Sequence, residues 1–183
     1  IGSIENALKR LNLNYKIMFA GDIDPFCKSS YFSNYDIDDT RWHNDITEFS
    51  GKNFKGNIDL LVGGSPCQAF SMVGNRKGFE DARGTLFYEF ARIIDETNPK
   101  VFIYENVKGL INHDKGRTWA IVKRIFKNLG YKIFFRTLNS KDYGIPQHRD
   151  RIFVVGFRDQ KTCFKFPCKI PLKVKMSDFL EDT

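Results

Sequence analysis

The apolar residues of this chain switch repeatedly between two spacings, and that switching constrains the fold more than any other feature. Ile4, Ala7, Leu8 and Leu11 recur at the spacing of one helical face, introduced by Gly2 and Ser3. YKIMFAGD, residues 15–22, reads as a buried strand ending in a carboxylate, and Pro25 sits where a helix to Tyr35 can begin. NIDLLVGG, residues 57–64, is a second strand. Leu86, Phe87, Phe90, Ala91 and Ile94 mark a helix that Pro99 closes. VFIYENV, residues 101–107, is a third strand, and Trp119, Val122, Ile125 and Leu129 line a further helix ending at Gly130. YKIFFRTL and RIFVVGF complete the series. Strands alternating with helices require crossover connections, which predicts an α/β domain with a mostly parallel, doubly wound, Rossmann-like sheet. Ligands of such sheets bind at the carboxyl ends of the strands. The residues standing there are Asp22, the turn from Gly63 to Cys67, Glu105, and the segment QHRDR from Gln147 to Arg151.

At 183 residues the chain suits one domain, 1–183. Lys and Arg number 29 against 22 Asp and Glu, a net +7 that suits a polyanionic partner. Cys27, Cys67, Cys163 and Cys168 form no CxxC pair and stand beside no paired histidines, so neither a metal site nor a disulfide framework is expected. No apolar run reaches membrane-spanning length and no signal peptide leads the chain, so a cytoplasmic setting is expected. The chain opens at Ile1 without Met and stops soon after a strand-like segment, which suggests part of a longer protein, truncated at both ends. The basic tail after Asp159 reads as a solvated connector.

Four groups of residues carry candidate chemistry. In GGSPCQAFS, residues 63–71, two glycines at a strand end allow close approach of a ligand, and Pro66 stiffens the turn that presents Cys67. Cys67 is then either a nucleophile or, like most cysteines, a small buried hydrophobe, the reading taken for Cys27, Cys163 and Cys168. Glu105, following an apolar strand, would be desolvated and its pKa raised, fitting it to lend a proton. Alternatively it caps a helix or pairs an arginine. Arg149 and Arg151 alternate on an extended segment, so both would point one way and clamp an anion or a base carbonyl, or else form a surface charge pair. Asp22 stands where such folds hold a ribose and Asp45 could accept from an adenine amine; either could instead cap a helix.

These pieces, in this order, resemble the cytosine-5 DNA methyltransferase family of bacterial restriction-modification systems. GGSPCQAFS looks like its nucleophile motif, and GFEDARGTLFYEFARII like the segment after its mobile catalytic loop. ENVKGL resembles its Glu-Asn-Val motif, and QHRDRIFVVGF its Gln-x-Arg-x-Arg motif. The resemblance implies an S-adenosylmethionine-dependent methyltransferase fold, here incomplete, acting on a cytosine flipped out of double-stranded DNA. It makes Cys67 the nucleophile toward carbon 6 of the base and Glu105 the group at nitrogen 3, with Arg149 and Arg151 lowering the thiol pKa. It places the cofactor against Asp22, Ile23, Asp45, Ile46, Pro66 and Leu86, with Gly2 and Ser3 as the tail of a glycine-rich motif. It assigns Gln68, Ser71, Arg76, Lys77, Arg83, Asn106 and Gln147 to the base and the DNA, the loop 68–83 closing over the base. Family members continue into a target-recognition region that is not visible here, so a further segment or a second chain is expected to supply it. The same chemistry on tRNA, or a catalytically dead nucleic-acid-binding module, are the alternatives.

Overall fold

The computed structural model describes residues 2–66 and 86–179. The helix α1 covers Ser3–Arg10, strand β1 Ala20–Gly21, helix α2 Pro25–Asn34 and strand β2 Trp42–His43. Strand β3 (Leu60–Gly64), helix α3 (Leu86–Thr97), strand β4 (Val101–Val107), helix α4 (Arg117–Asn128) and strands β5 (Lys132–Asn139) and β6 (Asp150–Phe157) follow. Among the described residues no helix is long and apolar enough to cross a membrane.

β3, β4, β6 and β5 form one sheet in that order. β3 runs parallel to β4, while β6 is antiparallel to both β4 and β5. Three of its four strands therefore share a direction and β6 alone is reversed. β1 and β2 pair in parallel as a separate ribbon. This is a mixed α/β, mostly parallel and incomplete Rossmann-like architecture, as expected from the alternating periods, with the reversed strand as the refinement. A reversed β6 needs no crossover from β5, only the short connection through residues 140–149.

The core follows from the periodicities. Phe87, Phe90 and Ile94 of α3, and Trp119, Val122 and Phe126 of α4, are buried at i, i+3, i+7 spacing. Both helices land on one face of the sheet, because the Phe87 and Phe126 rings are 5.6 Å apart and each packs against Tyr104. Phe102 and Tyr104 of β4 and Ile152 and Val154 of β6 lie beneath them, fully buried. Edge-to-face aromatic pairs of this kind each add about 0.5–1.5 kcal/mol beyond area burial. The second helical layer implied by double winding is not seen over this sheet among the described helices; its other face is partly covered by the tail. There Phe164 packs on Phe134 and Phe157, and Arg136 lies over Phe166. The tail is thus a strap rather than a solvated connector.

Three further expectations are corrected. β1 is two residues long rather than a strand over 15–22, because its ladder partner β2 offers only Trp42 and His43. The Ile4–Leu8 face of α1 buries no residue, and Leu11 stays 67 % exposed. Cys163 and Cys168 are exposed rather than buried, since both lie on the tail.

Candidate active site

Parallel β3 and β4 end together, and reversed β6 begins beside them, so three sequence-distant segments meet at one corner. Glu105 is opposite Gly64 on one side and Phe153 on the other, and Val107 is opposite Arg151. Side chains at 105, 107, 151 and 153 therefore share a face. There the Arg151 Nε forms an ion pair with Glu105 Oε1 at 3.0 Å. A second guanidinium nitrogen of Arg151 donates to the Asp150 carbonyl at 2.8 Å, which fixes the plane of the fork.

Glycine at 63 and 64 has a reason other than the close approach of a ligand. A Cβ on Gly63 would stand 2.6 Å from the buried Phe90 ring, and one on Gly64 would stand 2.8 Å from the Glu105 carbonyl and 3.3 Å from its carboxylate. The Glu105 side chain therefore lies over the strand that leads, three residues on, to Cys67. Its surroundings differ from those expected: the side chain is 37 % exposed and faces a guanidinium, not an apolar pocket.

Arg149 does not join this pair among the described contacts. It precedes β6, is exposed, and is tied by its carbonyl to the Ser140 N–H at 3.2 Å. Alternation on a strand fails for it because the strand starts at Asp150. Gln147 is likewise exposed, in the turn before β6. Cys67, Gln68, Ser71, Arg76, Lys77 and Arg83 lie outside the described residues.

Asn106 faces inward. It is 2 % exposed, and its amide donates to the Ser65 carbonyl at 2.8 Å and to the Tyr104 hydroxyl at 2.7 Å. The Ser65 hydroxyl pairs in turn with Tyr104 at 2.8 Å. Neighbouring residues of β4 point to opposite faces, so the strand that turns Glu105 toward the open corner turns Asn106 inward. It holds the Ser65–Pro66 turn from behind. Removing a donor from a buried network leaves its partners unsatisfied, so Asn106→Ala is expected to cost about 1–3 kcal/mol of unfolding free energy. Chemical denaturation reads this, and an unchanged midpoint would refute the network's role.

The cofactor candidates come from other elements. Asp22 follows β1 and is exposed; its Oδ1 accepts from the Asp24 N–H at 2.9 Å. The cap of α2 is Asp24, whose Oδ1 accepts from Phe26 N–H at 2.8 Å, so Asp22 is spared that task. Ile23 beside it is 77 % exposed, an apolar surface with no cover from the described residues. Asp45 Oδ1 accepts from the Thr47 hydroxyl and N–H at 2.7 and 2.8 Å, and these bonds, the hydroxyl's first, hold its carboxyl below the usual range. Ile46 packs partly buried on the main core, Leu86 opens α3 at 39 % exposure, and Pro66 is exposed. Gly2 caps α1 with φ 67°, and its carbonyl accepts from the Tyr35 hydroxyl at 2.6 Å; Ser3 is exposed. Among the described residues no three His, Cys, Asp or Glu side chains gather as a metal site.

An exposed Asp22 and a half-buried Asp45, each bound through one oxygen, and a bare Ile23 could hold a ribose, an adenine amine and an adenine face. An incomplete Rossmann-like sheet with one reversed strand defines the class as that of the S-adenosylmethionine-dependent methyltransferases. A DNMT2 variant from Spodoptera frugiperda shares the fold with a TM-score of 0.71 at 25 % identity, over 95 % of this chain and 52 % of that one. The Entamoeba histolytica methyltransferase EhMeth shares it with a TM-score of 0.69.

The chain belongs to the C-5 cytosine-specific DNA methylase family, whose model matches residues 1–182. It is 42 % identical over 159 residues to the orphan methyltransferase M.SPRI of Bacillus phage SPR, covering 87 % of this chain and 36 % of that protein. It is 42 % identical over 170 residues to the type II methyltransferase M.SsoII of Shigella sonnei, covering 90 % and 44 %. With M.HhaI of Haemophilus parahaemolyticus it is 39 % identical over 165 residues, covering 89 % and 49 %. The chain thus spans between about a third and a half of these relatives' length.

Proposed function

We propose that the protein methylates carbon 5 of a cytosine flipped out of double-stranded DNA, through a covalent bond between Cys67 and carbon 6. The observation that carries this reading is the corner itself. The Glu105 carboxylate is paired with Arg151 at 3.0 Å and lies against Gly64, on the strand leading to Cys67, in a chain of this family.

Bound S-adenosylmethionine supplies an electrophilic methyl group on a sulfonium. Asp22 is suited to the ribose hydroxyls and Asp45 to the adenine amine, with Ile23, Ile46, Pro66 and Leu86 as apolar walls. Gly2 and Ser3 stand at the head of α1, where a cofactor's polar end would approach backbone N–H groups.

The Cys67 thiolate adds to carbon 6, forming a carbon–sulfur bond. Glu105 holds or protonates nitrogen 3, so the electron pair displaced from the 5,6 double bond collects at carbon 5. Carbon 5 would take the methyl group as the carbon–sulfonium bond breaks and a neutral thioether leaves; carbon 5 then loses its proton to a base, nitrogen 3 returns its proton to Glu105, and the returning pair restores the double bond and expels the thiolate. Arg151 keeps Glu105 aimed and, with Arg149, adds positive charge on the side of the base, which favours a thiolate. Gln68, Ser71, Arg76, Lys77, Arg83 and Gln147 are suited to the flipped base and the phosphates. The share of the relatives' length that the chain spans supports a further region, or a second chain, that selects the DNA sequence.

The test is covalent trapping. The gene's full product, mixed with cofactor and duplex DNA carrying 5-fluorocytosine, is expected to give a denaturant-stable adduct at Cys67, since fluorine cannot leave as a proton does. An adduct with tRNA in place of DNA would move the substrate to RNA. No adduct with either would make the chain a binding module.

A further inference from the structure

One side chain used neither by the chemistry nor by the core is arranged with unusual completeness. Arg92 lies at mid-helix in α3, and its guanidinium is held by four acceptors. Nε donates to Glu89 at 2.8 Å and Nη1 to Glu96 at 3.0 Å, fixing the fork from both neighbouring turns. The remaining hydrogens leave the helix: Nη2 donates to the Ile46 carbonyl at 2.7 Å and Nη1 to the Phe49 carbonyl at 2.9 Å. Glu96 reaches the same segment, its Oε2 accepting from the Gly51 N–H at 2.7 Å. Burial pushes the Glu96 carboxyl up, but the Gly51 and Arg92 bonds outweigh it and the group stays below its ordinary range.

These bonds bind α3 to residues 46–51, a segment that also rests on the main core through Ile46 and Phe49. Phe49 is itself buried in the main core, and Gly51 is gripped by Glu96. The Ile46 end, next to Asp45, is held on α3 by Arg92. The first residue of the same helix is Leu86. One guanidinium therefore ties the segment that carries Asp45 and Ile46 to the helix that opens with Leu86, the residues assigned to the two sides of the cofactor.

We infer that Arg92 is a positioning residue for S-adenosylmethionine, a role that rests on the cofactor pocket proposed above. A planar fork is required: an ammonium keeps the charge but cannot meet two carbonyls and two carboxylates at once. Arg92→Lys and Arg92→Ala in the full gene product are each expected to raise the Kd and KM for S-adenosylmethionine about tenfold, the scale of one lost charged hydrogen bond, with kcat at saturating cofactor and KM for DNA held within about threefold. Arg92→Lys gives the answer should the alanine variant fail to fold. A lower Tm with unchanged Kd would reduce Arg92 to a structural brace, and an equal fall in kcat at saturation would also overturn the inference. Asp45→Ala is measured alongside. If it leaves cofactor affinity untouched, the pocket assignment fails rather than the brace; if it weakens affinity while both Arg92 variants bind normally, the brace fails alone.

Discussion

Cys67→Ser is expected to reduce methyl transfer to background, a loss on the order of 10⁴-fold or more, as when a covalent nucleophile is removed from an enzyme that works through it. The substitution exchanges one sulfur for one oxygen. The species that adds to carbon 6 is an anion, and a thiol reaches that state near neutral pH whereas an aliphatic hydroxyl does not. The fold itself rests on the aromatic and aliphatic cluster of α3, β4, α4 and β6. Tm is therefore expected to stay within about 2 °C of the parent, no more than the shift that a loss of about 1 kcal/mol gives a domain of this size. S-adenosylmethionine binding is expected to be retained. The decisive measurement pairs labelled-methyl transfer with the fluorocytosine adduct. A serine variant that still transfers at more than a few per cent of the parental rate refutes covalent catalysis at this position.

How much of this was legible in the sequence depends on whether a feature is local. The periods of residues 86–97, 101–107 and 117–128 are properties of single elements, and each formed close to where its pattern lies. The reversal of β6 is a property of a pair, and nothing in RIFVVGF tells a parallel from an antiparallel neighbour. The same limit explains the site. That Glu105 stands at a strand end could be read from VFIYENV, but its partner could not: Arg151 and Arg149 are equivalent by alternation until the strand's first residue is known. The Glu-Asn-Val motif does not say which neighbour faces the corner; the register does, and it turns Asn106 inward. Gly63 and Gly64 were rightly singled out, but they answer to Phe90 and Glu105, residues far away in the chain. Arg92 left a signal that went unused: glutamates three before and four after it on one helix, a spacing that clamps a guanidinium.

Glu105→Gln separates the acid from the ion pair that hides it. Glutamine keeps the length and volume of glutamate, and its carbonyl can still accept from Arg151 Nε, so the geometry against Gly64 is preserved. What it lacks is a proton to give or a charge to take one. The pair is part-exposed, with side chains 37 % and 23 % accessible, and such a pair contributes about 1 kcal/mol or less to stability. Unfolding measurements on the glutamine variant are therefore expected to show little change. The chemical step is expected to slow by about 10²–10⁴-fold, the range for losing a positioned general acid or base. That corresponds to about 3–5 kcal/mol of transition-state stabilisation, several times what the ion pair contributes. Because product release can mask a slowed step, single-turnover transfer to duplex DNA is the appropriate reading. A loss below tenfold would leave Glu105 as a partner that orients Arg151, and nitrogen 3 of the base would need its proton from another group.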